Sequence, residues 1–355
     1  MKKNFLITTG GSGGHVIPAT ILYQHLSKEA NVTISTDIRG LKYLDKDTYQ
    51  FKIINTPKLN NIFFVPFNLC VILFLILKSF FLLKNKKIKK LVTTGGYMSL
   101  PVILAARLLK LDIYLTEPNQ VLGRANKFFL GVCKKIFCYS DHIKNFPEKF
   151  KNKVVIINPL IKEEVYKLSS LPVSNNKFSI LIVGGSQGAN IFDKKLKDTF
   201  INISKKTPIK IIQQTSEENI THLKNFYSKN NIENIVFSFD KNLAQTIQKV
   251  DLCITRAGAS TLAELSFLNI PFVAVPLPSS KDNHQYENAL YYKKNNSCWI
   301  IDQTNFNKKE LSEFFLNILT NNNEYLKKKA NLKKLNYQNS WNNVNQKILD
   351  TLNAN

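Results

Sequence analysis

The stretch from Asp251 to Asn288 constrains the fold more than any other part of this sequence. Residues 251–255 form a short apolar run that stops at the turn Arg256-Ala257-Gly258, which is typical of a buried strand. Residues 259–268 then carry leucines at helical spacing, and residues 272–275 form a second apolar run closed by prolines. A strand, a glycine turn, a helix and a further strand make half of a doubly wound α/β domain. Such sheets bind ligands at the carboxyl ends of their strands.

Ligand-binding residue types gather where this first strand ends and the helix begins. Amides at the start of a helix favour phosphate oxygens. The carboxylate of Glu264, one turn into the helix, can accept two hydroxyl hydrogen bonds, as a ribose offers. The alternative is a capped helix on which Glu264 is only solvated. The residues of this predicted ligand edge are Arg256, Gly258, Ser260, Thr261, Glu264, Asp282, His284 and Gln285.

A further glycine turn, called the first glycine loop because it comes first in the chain, follows the predicted strand of residues 4–9. It leads into a predicted helix over residues 16–27. Its amides suit an oxyanion, and it consists of Gly10, Gly11, Ser12, Gly13 and Gly14. A dinucleotide-binding loop, with Asp37 as the ribose acceptor, is the rival interpretation, but its third glycine would fall on Val16. His15, at the end of the turn, is either a cap or a general base that works near neutral pH.

Four motifs together resemble those of one enzyme family. RAGASTLAE at residues 256–264 and KDNHQ at residues 281–285 are similar to the donor-sugar site of the MurG family of GT-B glycosyltransferases, which use UDP-N-acetylglucosamine. GGSGGH at residues 10–15 and GGSQGA at residues 184–189 are similar to glycine loops of that family. The resemblance covers most of the chain.

This resemblance implies an α/β protein with the GT-B fold, in which two doubly wound, Rossmann-like domains face each other across a cleft. Residues 1–167 would form an acceptor-binding and membrane-associating domain, and residues 168–336 a domain that binds UDP-N-acetylglucosamine. A C-terminal helix, about residues 337–352, would pack back on the first domain. The implied reaction is an inverting transfer of N-acetylglucosamine to the C4 hydroxyl of the muramyl sugar of lipid I, which gives lipid II for peptidoglycan synthesis.

The resemblance also implies a role for individual residues. His15 would deprotonate the attacking hydroxyl, and the first glycine loop, together with Gly95, Gly96 and Tyr97, would serve the acceptor and its pyrophosphate. Helix dipoles, backbone amides and Arg256 would stabilise the leaving diphosphate, so no metal cofactor is expected. The donor-binding set is Asn119, Ser186, Gln187, Asp240, Arg256, Gly258, Ser260, Thr261, Glu264, His284 and Gln285.

Several positions depart from the family pattern. Thr116 and Gln213 stand where the family has histidines, and Pro118 stands where it has a glutamine. Ile161 replaces an arginine, so any role of that arginine would have to pass to another residue, for which Lys162 is a candidate.

Residues 62–83 form the longest apolar segment, and its charge-free part is short for a bilayer span. A transmembrane helix is one interpretation, but the predicted strand of residues 91–94 must pair with that of residues 4–9. The preferred interpretation is a helix with one face on the sheet and the other in the membrane interface, followed by five lysines between Lys84 and Lys90 as a polybasic anchor. The predicted membrane contacts are Phe80, Phe81, Lys84, Lys86 and Lys87.

Composition limits the partners and the rival functions. The 355 residues carry a formal net charge of +24, which favours an anionic membrane or a phosphorylated substrate, and no aromatic-basic motif indicates nucleic acid. Five scattered cysteines and an N-terminus unlike a signal peptide indicate a reducing compartment. The expected location is therefore the cytoplasmic face of the bacterial inner membrane, as a peripheral protein, with lipid I and proteins of cell-wall synthesis as partners.

Two rival functions remain at this point. One is another GT-B glycosyltransferase that acts on a membrane lipid such as diacylglycerol, and the other is a non-catalytic basic protein that binds membranes or RNA. A metal-dependent glycosyltransferase is not favoured, because its Asp-x-Asp candidate, residues 45–47, has no buried strand before it.

Overall fold

The computed structural model of the protein describes residues 2–57, 65–168, 177–184, 189–240 and 242–354. The chain forms two compact units, one made of Met1–Glu163 with Asn339–Asn355 and the other of Glu164–Gln338. Each unit is built around one parallel sheet covered by helices, so the predicted α/β class with two doubly wound domains is confirmed.

The sheet of the first unit has seven parallel strands. They are β1 (Lys3–Thr8), β2 (Ala30–Thr36), β3 (Phe51–Ile53), β4 (Ile88–Thr93), β5 (Asp112–Glu117), β6 (Lys135–Cys138) and β7 (Val154–Ile156). Their order across the sheet is β3-β2-β1-β4-β5-β6-β7, and the pairing of β1 with β4 confirms the prediction from residues 91–94. The strand order reverses between β1 and β4, which makes the ends of these two strands the switch point where such sheets bind ligands.

Helices cover both faces of this sheet. They are α1 (Gly13–Leu26), α2 (Val65–Asn85), α3 (Leu100–Leu108), α4 (Arg124–Phe129) and the last helix of the chain, α14 (Trp341–Asn353). Phe5 and Ile7 of β1 belong to the core shared with α1 and α14, whereas Leu6 between them belongs to the core shared with α2 and α3. This alternation is the period of two that a strand with both faces buried imposes.

The second unit repeats the plan with six parallel strands. They are β8 (Phe178–Val183), β9 (Ile209–Gln214), β10 (Glu233–Phe237), β11 (Leu252–Thr255), β12 (Phe272–Ala274) and β13 (Cys298–Ile300). Their order is β10-β9-β8-β11-β12-β13, so the switch point lies between β8 and β11. The helices that follow the first unit's sheet in the chain are α5 (Glu163–Leu168), α6 (Ala189–Lys195), α7 (Lys197–Ser204), α8 (Ile220–Lys229), α9 (Leu243–Gln248), α10 (Ala259–Phe267), α11 (His284–Lys294), α12 (Lys308–Thr320) and α13 (Asn322–Leu335).

Helix α14 returns to the first unit and packs against α1. Its buried side chains, Val344, Ile348 and Leu352, recur every four residues and form one apolar stripe. At the start of α14, Trp341 stacks on the buried ring of His25 with 3.6 Å between ring centroids. These contacts join the end of the chain to the helix that begins at the first glycine loop.

Helix α2 has one packed face and one exposed face. Ile72, Leu75, Ser79 and Leu83 are buried at a spacing of three or four residues on the side that faces α3 and the sheet. The opposite side exposes large apolar side chains, which are Phe67, Leu69, Leu73, Phe74, Leu77 and Phe81. Residues 66–85 are long and apolar enough to cross a membrane by length and composition, with a mean hydropathy of 2.2, although 22% of the window is buried in the protein. Residues 62–64 of the predicted segment lie outside the described residues.

The five lysines at the end of α2 and just after it do not all face solvent. Lys84, Lys87 and Lys89 are exposed, and Lys86 is half-buried with its Nζ 3.3 Å from the Thr33 hydroxyl. Lys90 is buried, and its ammonium donates to the backbone carbonyl of Leu352 at the end of α14. The prediction that Lys90 belongs to a polybasic anchor is therefore wrong, because the C-terminal carbonyls of a helix attract this cation inward.

Candidate active site

The first glycine loop is held by a carboxylate from the neighbouring strand. Asp37, which is 1% exposed at the end of β2, accepts a hydrogen bond from the Gly11 amide at 2.7 Å and one from the Gly40 amide at 3.1 Å. A Cβ at Gly10 would lie only 2.7 Å from Asp37 Oδ1, so glycine is required there for close approach. Asp37 therefore braces this loop, which is a different role from the ribose acceptor of the dinucleotide interpretation.

The amides at the start of α1 remain open. Ser12 is the N-cap residue, and the Gly13 and Gly14 amides have no acceptor among the described residues. Two free amides at the positive end of a helix of fourteen residues suit an anion.

His15 has a fixed orientation next to these amides. Its Nδ1 lies 2.8 Å from the backbone carbonyl of Thr94, in the turn after β4. A carbonyl can only accept, so Nδ1 carries the proton of the neutral ring and Nε2 carries a lone pair. The Thr94 hydroxyl in turn donates to the Thr9 hydroxyl at 2.8 Å, which joins the ends of β1 and β4. The half-buried imidazole is thus held in the tautomer that a general base needs.

An arginine that the sequence reasoning did not single out lies between the two glycine turns. Arg39 Nε donates to Asp37 Oδ2 at 2.7 Å, and its Nη2 donates to the hydroxyl of Tyr97. The guanidinium also lies over the Tyr97 ring, 5.3 Å from its centroid. The signal that could have found it is composition, since arginine is rare in this lysine-rich chain.

A second buried carboxylate, Glu117, organises the turn after β5. It is 2% exposed and accepts hydrogen bonds from the Gly123 amide at 2.7 Å, the Asn126 side chain at 2.9 Å and the Asn119 side chain at 3.1 Å. Asn119, predicted to bind the donor, is therefore oriented by Glu117. Glu117, which stands between the substituted positions Thr116 and Pro118, was not singled out from the sequence.

Thr116 stands at one of the substituted histidine positions. The residue is fully buried, and its hydroxyl has no hydrogen-bond partner among the described residues. At the position of the missing arginine, the Ile161 side chain is also fully buried, as part of the first unit.

In the second unit, Arg256 follows β11 and is 7% exposed. Its Nη1 donates to the backbone carbonyls of Val275 at 3.0 Å and Pro276 at 3.3 Å, and its Nη2 donates to Gln303 Oε1 at 2.7 Å. Burial lowers the pKa of this guanidinium from its usual value. Both Nη groups thus bind the end of β12 and the segment after β13, while Nε has no partner in the part of the chain that the structure describes.

Helix α10 begins at the residues predicted to bind the donor. Gly258 is its N-cap residue, and the Ser260 and Thr261 amides have no acceptor among the described residues. Ser260, Thr261 and Glu264 are half-buried on the first turns. Open amides and a carboxylate one turn further along the helix suit a phosphate and a sugar hydroxyl pair.

The start of α11 is joined to this helix by side-chain hydrogen bonds. Gln285 Oε1 accepts from the Leu277 amide at 2.9 Å, and Asn288 donates to the Ala257 carbonyl at 3.1 Å. His284 Nδ1 lies 2.8 Å from the Lys281 carbonyl. Before α11, Asp282 and Asn283 both adopt left-handed backbone angles, with φ of 52° and 55°, which is uncommon for residues other than glycine. Asp and Asn tolerate these angles better than other residues with side chains do.

Three more residues are predicted to bind the donor: Asp240, Ser186 and Gln187. Asp240 accepts from the Asn242 amide at 2.7 Å and the Thr246 hydroxyl at 2.6 Å, so it is tied to the first turn of α9. Ser186 and Gln187 lie outside the described residues.

Gln213, the other substituted histidine position, is part of a buried polar network. Its amide nitrogen donates to Asp193 Oδ1 at 2.7 Å, and its amide oxygen accepts from the Tyr227 hydroxyl at 2.7 Å. The Thr215 hydroxyl and the Asn219 amide complete the contacts of Asp193. Glutamine thus uses both its donor and its acceptor groups here.

Within the described ranges, no group of three or more histidine, cysteine, aspartate or glutamate side chains could hold a metal ion. In the Asp45–Asp47 segment, Asp45 instead accepts from the Asp47 amide at 3.0 Å and from the Thr48 hydroxyl at 2.9 Å in an exposed turn.

Comparison with known proteins relates both units to one family. Residues 5–138 match the glycosyltransferase family 28 N-terminal domain, and residues 179–343 match the glycosyltransferase family 28 C-terminal domain. The chain is 48% identical over 356 residues to the UDP-N-acetylglucosamine--N-acetylmuramyl-(pentapeptide) pyrophosphoryl-undecaprenol N-acetylglucosamine transferase of Pelagibacter ubique (strain HTCC1062), with 100% of both chains covered. It is 36% identical over 326 residues to the protein of the same name from Rickettsia canadensis (strain McKiel), covering 90% of this chain and 91% of that one.

Solved structures show the same fold. MurG of Acinetobacter baumannii superposes with a TM-score of 0.78 at 24% identity, covering 99% of this chain and 98% of that one. A UDP-GlcNAc 2-epimerase from Neisseria meningitidis, bound to UDP-GlcNAc, superposes with a TM-score of 0.68 at 14% identity, covering 98% and 99%. At these identities the likeness supports the GT-B architecture and nothing finer.

Proposed function

Since the chain belongs to the MurG family of glycosyltransferase family 28 and is an N-acetylglucosaminyltransferase, we propose that it moves N-acetylglucosamine from UDP-N-acetylglucosamine to the C4 hydroxyl of the muramyl sugar of lipid I. The product is lipid II, the disaccharide unit used for peptidoglycan. The observation that carries this proposal is the 48% identity over the full length to a relative that bears this activity in its name.

His15 acts as the general base on the attacking hydroxyl. The Thr94 carbonyl, 2.8 Å from Nδ1, supports this role because it leaves the Nε2 lone pair free to take the proton. The hydroxyl oxygen then attacks the anomeric carbon while the bond to the UDP oxygen breaks, so one displacement inverts the configuration. The open amides of Gly13 and Gly14, one or two residues before the base, bind the pyrophosphate of the acceptor.

The second unit holds the donor. The open amides of Ser260 and Thr261 at the start of α10 receive the diphosphate, and Glu264 accepts the ribose hydroxyls. Arg256 acts on this site through its neighbours, because its hydrogen bonds to Pro276 and Gln303 hold the segments that border α10. The remaining residues of the proposed donor set are Asn119, Ser186, Gln187, Asp240, Gly258, His284 and Gln285.

The leaving diphosphate is stabilised without a metal ion. Oriented amides at a helix start develop their full interaction with the charge that forms on the UDP oxygens. This proposal is supported by the open amides at the start of α10, and its direct test is activity in the presence of a chelator.

The enzyme reaches its lipid substrate from the membrane surface. The exposed face of α2 buries apolar side chains such as Phe74 and Phe81 in the membrane interface, and Lys84 and Lys87 pair with anionic headgroups. Phe80 is half-buried and Lys86 contacts Thr33, so these two of the predicted membrane contacts contribute less. A surface position is favoured over a spanning one because α2 packs along one side against α3 and the strands on either side of it lie in one sheet.

The identity of the acceptor distinguishes this function from that of a glycosyltransferase acting on diacylglycerol. Purified protein is incubated with UDP-N-acetylglucosamine carrying a radiolabel in the sugar, and with mixed micelles that contain either lipid I or diacylglycerol. Labelled lipid II should form from lipid I, and diacylglycerol should stay unlabelled. Label in diacylglycerol alone would refute the proposal and identify a membrane-lipid glycosyltransferase.

A further inference from the structure

Three side chains, Asp37, Arg39 and Tyr97, connect the first glycine loop with the turn at Gly95 and Gly96 in the first unit. They are called the clamp below, and Arg39 is its cation. Asp37, Arg39 and Tyr97 form a chain of hydrogen bonds, which begins at the Gly11 amide and ends at the turn after β4. Arg39 Nη2 would lie 3.7 Å from a Cβ placed on Gly11, so the guanidinium lies directly beside the first glycine loop.

The guanidinium has donors to spare. Its Nε and Nη2 groups have partners, but Nη1 has none among the described residues, and the side chain is 44% exposed. The hydrogen bond to Asp37 raises the pKa of Arg39, so the group is always cationic. The negative charge of Asp37 is shared between Arg39 and the loop. Its Oδ2 accepts from Arg39, and its Oδ1 accepts from the Gly11 and Gly40 amides.

Composition supports a function for this side chain that a lysine could not perform. The chain has 4 arginines and 45 lysines, and Arg39 is one of the two that lie within three residues of the end of a strand, β2 for Arg39 and β11 for Arg256. An arginine presents a planar fork of donors that can bind two phosphate oxygens at once, whereas a lysine presents a single point charge.

We propose that Arg39 binds the diphosphate of the acceptor through its free Nη1 edge, together with the open amides of Gly13 and Gly14. This inference rests on the proposed function, since it takes the first glycine loop as the acceptor pyrophosphate site. Asp37 positions Arg39, and Tyr97 couples the clamp to the turn that holds His15, so phosphate binding and base position depend on the same contacts.

The test compares two soluble acceptors that share the muramyl peptide and a short isoprenoid chain. One carries a diphosphate between sugar and lipid, and the other carries a monophosphate. The wild type should prefer the diphosphate acceptor. Arg39→Gln should raise KM for the diphosphate acceptor about 10- to 100-fold, the usual worth of a charged hydrogen bond, and should lose most of that preference.

Two further variants separate charge from geometry. Arg39→Lys keeps the charge and loses the fork, so it should recover only part of the preference. Lys42→Gln removes an exposed cation from the same short helical segment, residues 38–43, and should leave both KM values unchanged. The dissociation constant for UDP-N-acetylglucosamine, measured by calorimetry, should be the same in all variants.

The outcomes distinguish this inference from the function on which it rests. A wild type that prefers the diphosphate acceptor, with Arg39→Gln and Arg39→Lys retaining that preference, would overturn the clamp and leave the proposed function standing. A wild type that glycosylates neither muramyl acceptor would overturn the proposed function and the clamp with it. An equal rise in KM for both acceptors in Arg39→Gln would also overturn the clamp, because it would indicate a general disturbance of the loop.

Discussion

The contact between His25 and Trp341 should make the stability of the first unit depend on pH. His25 is fully buried on α1, its Nδ1 donates to Asn345 Oδ1 at 3.2 Å, and its Nε2 has no partner among the described residues. Burial lowers the pKa of this imidazole from 6.5 to about 4, against the opposing effect of the Asn345 hydrogen bond. The charged groups that act on it are Glu163, which favours protonation, and Lys28, which disfavours it.

The sign follows from proton binding in the two states. Between pH 6.5 and pH 4 the unfolded chain binds a proton at His25 and the folded chain does not, so acid favours unfolding. The stability is complete above about pH 6.5 and decreases as the pH falls toward 4. The pKa of His25 is 6.5 in the unfolded chain and about 4 in the folded chain. This difference lowers the free energy of unfolding by about 2 kcal/mol when the pH falls from 7.5 to 5.0.

The two tryptophans of the chain allow the first unit to be measured separately. Trp341 lies in the first unit and Trp299 in the second, so Trp299→Phe leaves a single fluorescent reporter beside His25. Urea unfolding followed at Trp341 is compared at pH 7.5 and pH 5.0 with and without His25→Phe, which keeps a ring against Trp341 but cannot be protonated. The pH effect should be about 2 kcal/mol smaller in the phenylalanine variant. An equal pH effect in both proteins would refute the reasoning.

Four further predictions concern the reaction and the membrane. His15→Ala should lower kcat about 10²- to 10⁴-fold with donor affinity unchanged, and near-normal turnover would exclude His15 as the base. Glu264→Ala should weaken UDP-N-acetylglucosamine binding by about 1–3 kcal/mol; the same loss with a 2′,3′-dideoxyribose analogue would show that Glu264 does not hold the ribose. Excess EDTA should leave most activity, whereas loss of activity with rescue by magnesium would contradict the amide-based diphosphate site. Lys84→Glu combined with Lys87→Glu should reduce binding to anionic vesicles, since each lysine near such a surface is worth about 1 kcal/mol. The matched change of two exposed lysines in the second unit, Lys205→Glu with Lys206→Glu, should not reduce vesicle binding.

Local patterns were sufficient to predict the two sheets. The strands of a parallel sheet are buried on both faces, so they appear as continuous apolar runs such as residues 272–275, of which the structure shows 272–274 as β12. The glycine turns that follow these runs mark the switch points, because the backbone there must approach a neighbouring side chain, as Gly10 approaches Asp37.

Contacts between distant parts of the chain could not be predicted in this way. Lys90 is buried only because the last turn of α14, 262 residues later, supplies a carbonyl. The contacts of Arg256 Nη1 with the Val275 and Pro276 carbonyls likewise depend on β12 lying next to β11 in the sheet. In both cases the partner is brought in by the packing of elements in the folded chain, which a linear pattern does not contain.

The most direct test of the account is the structure of the bond that the enzyme makes. Lipid II formed by the purified protein from lipid I and UDP-N-acetylglucosamine is cleaved from its lipid, and the linkage is determined by proton NMR. A single displacement assisted by His15 predicts a β-linkage to the C4 oxygen of the muramyl sugar, inverted from the α-linked donor. An α-linkage, or attachment at another hydroxyl, would contradict the account.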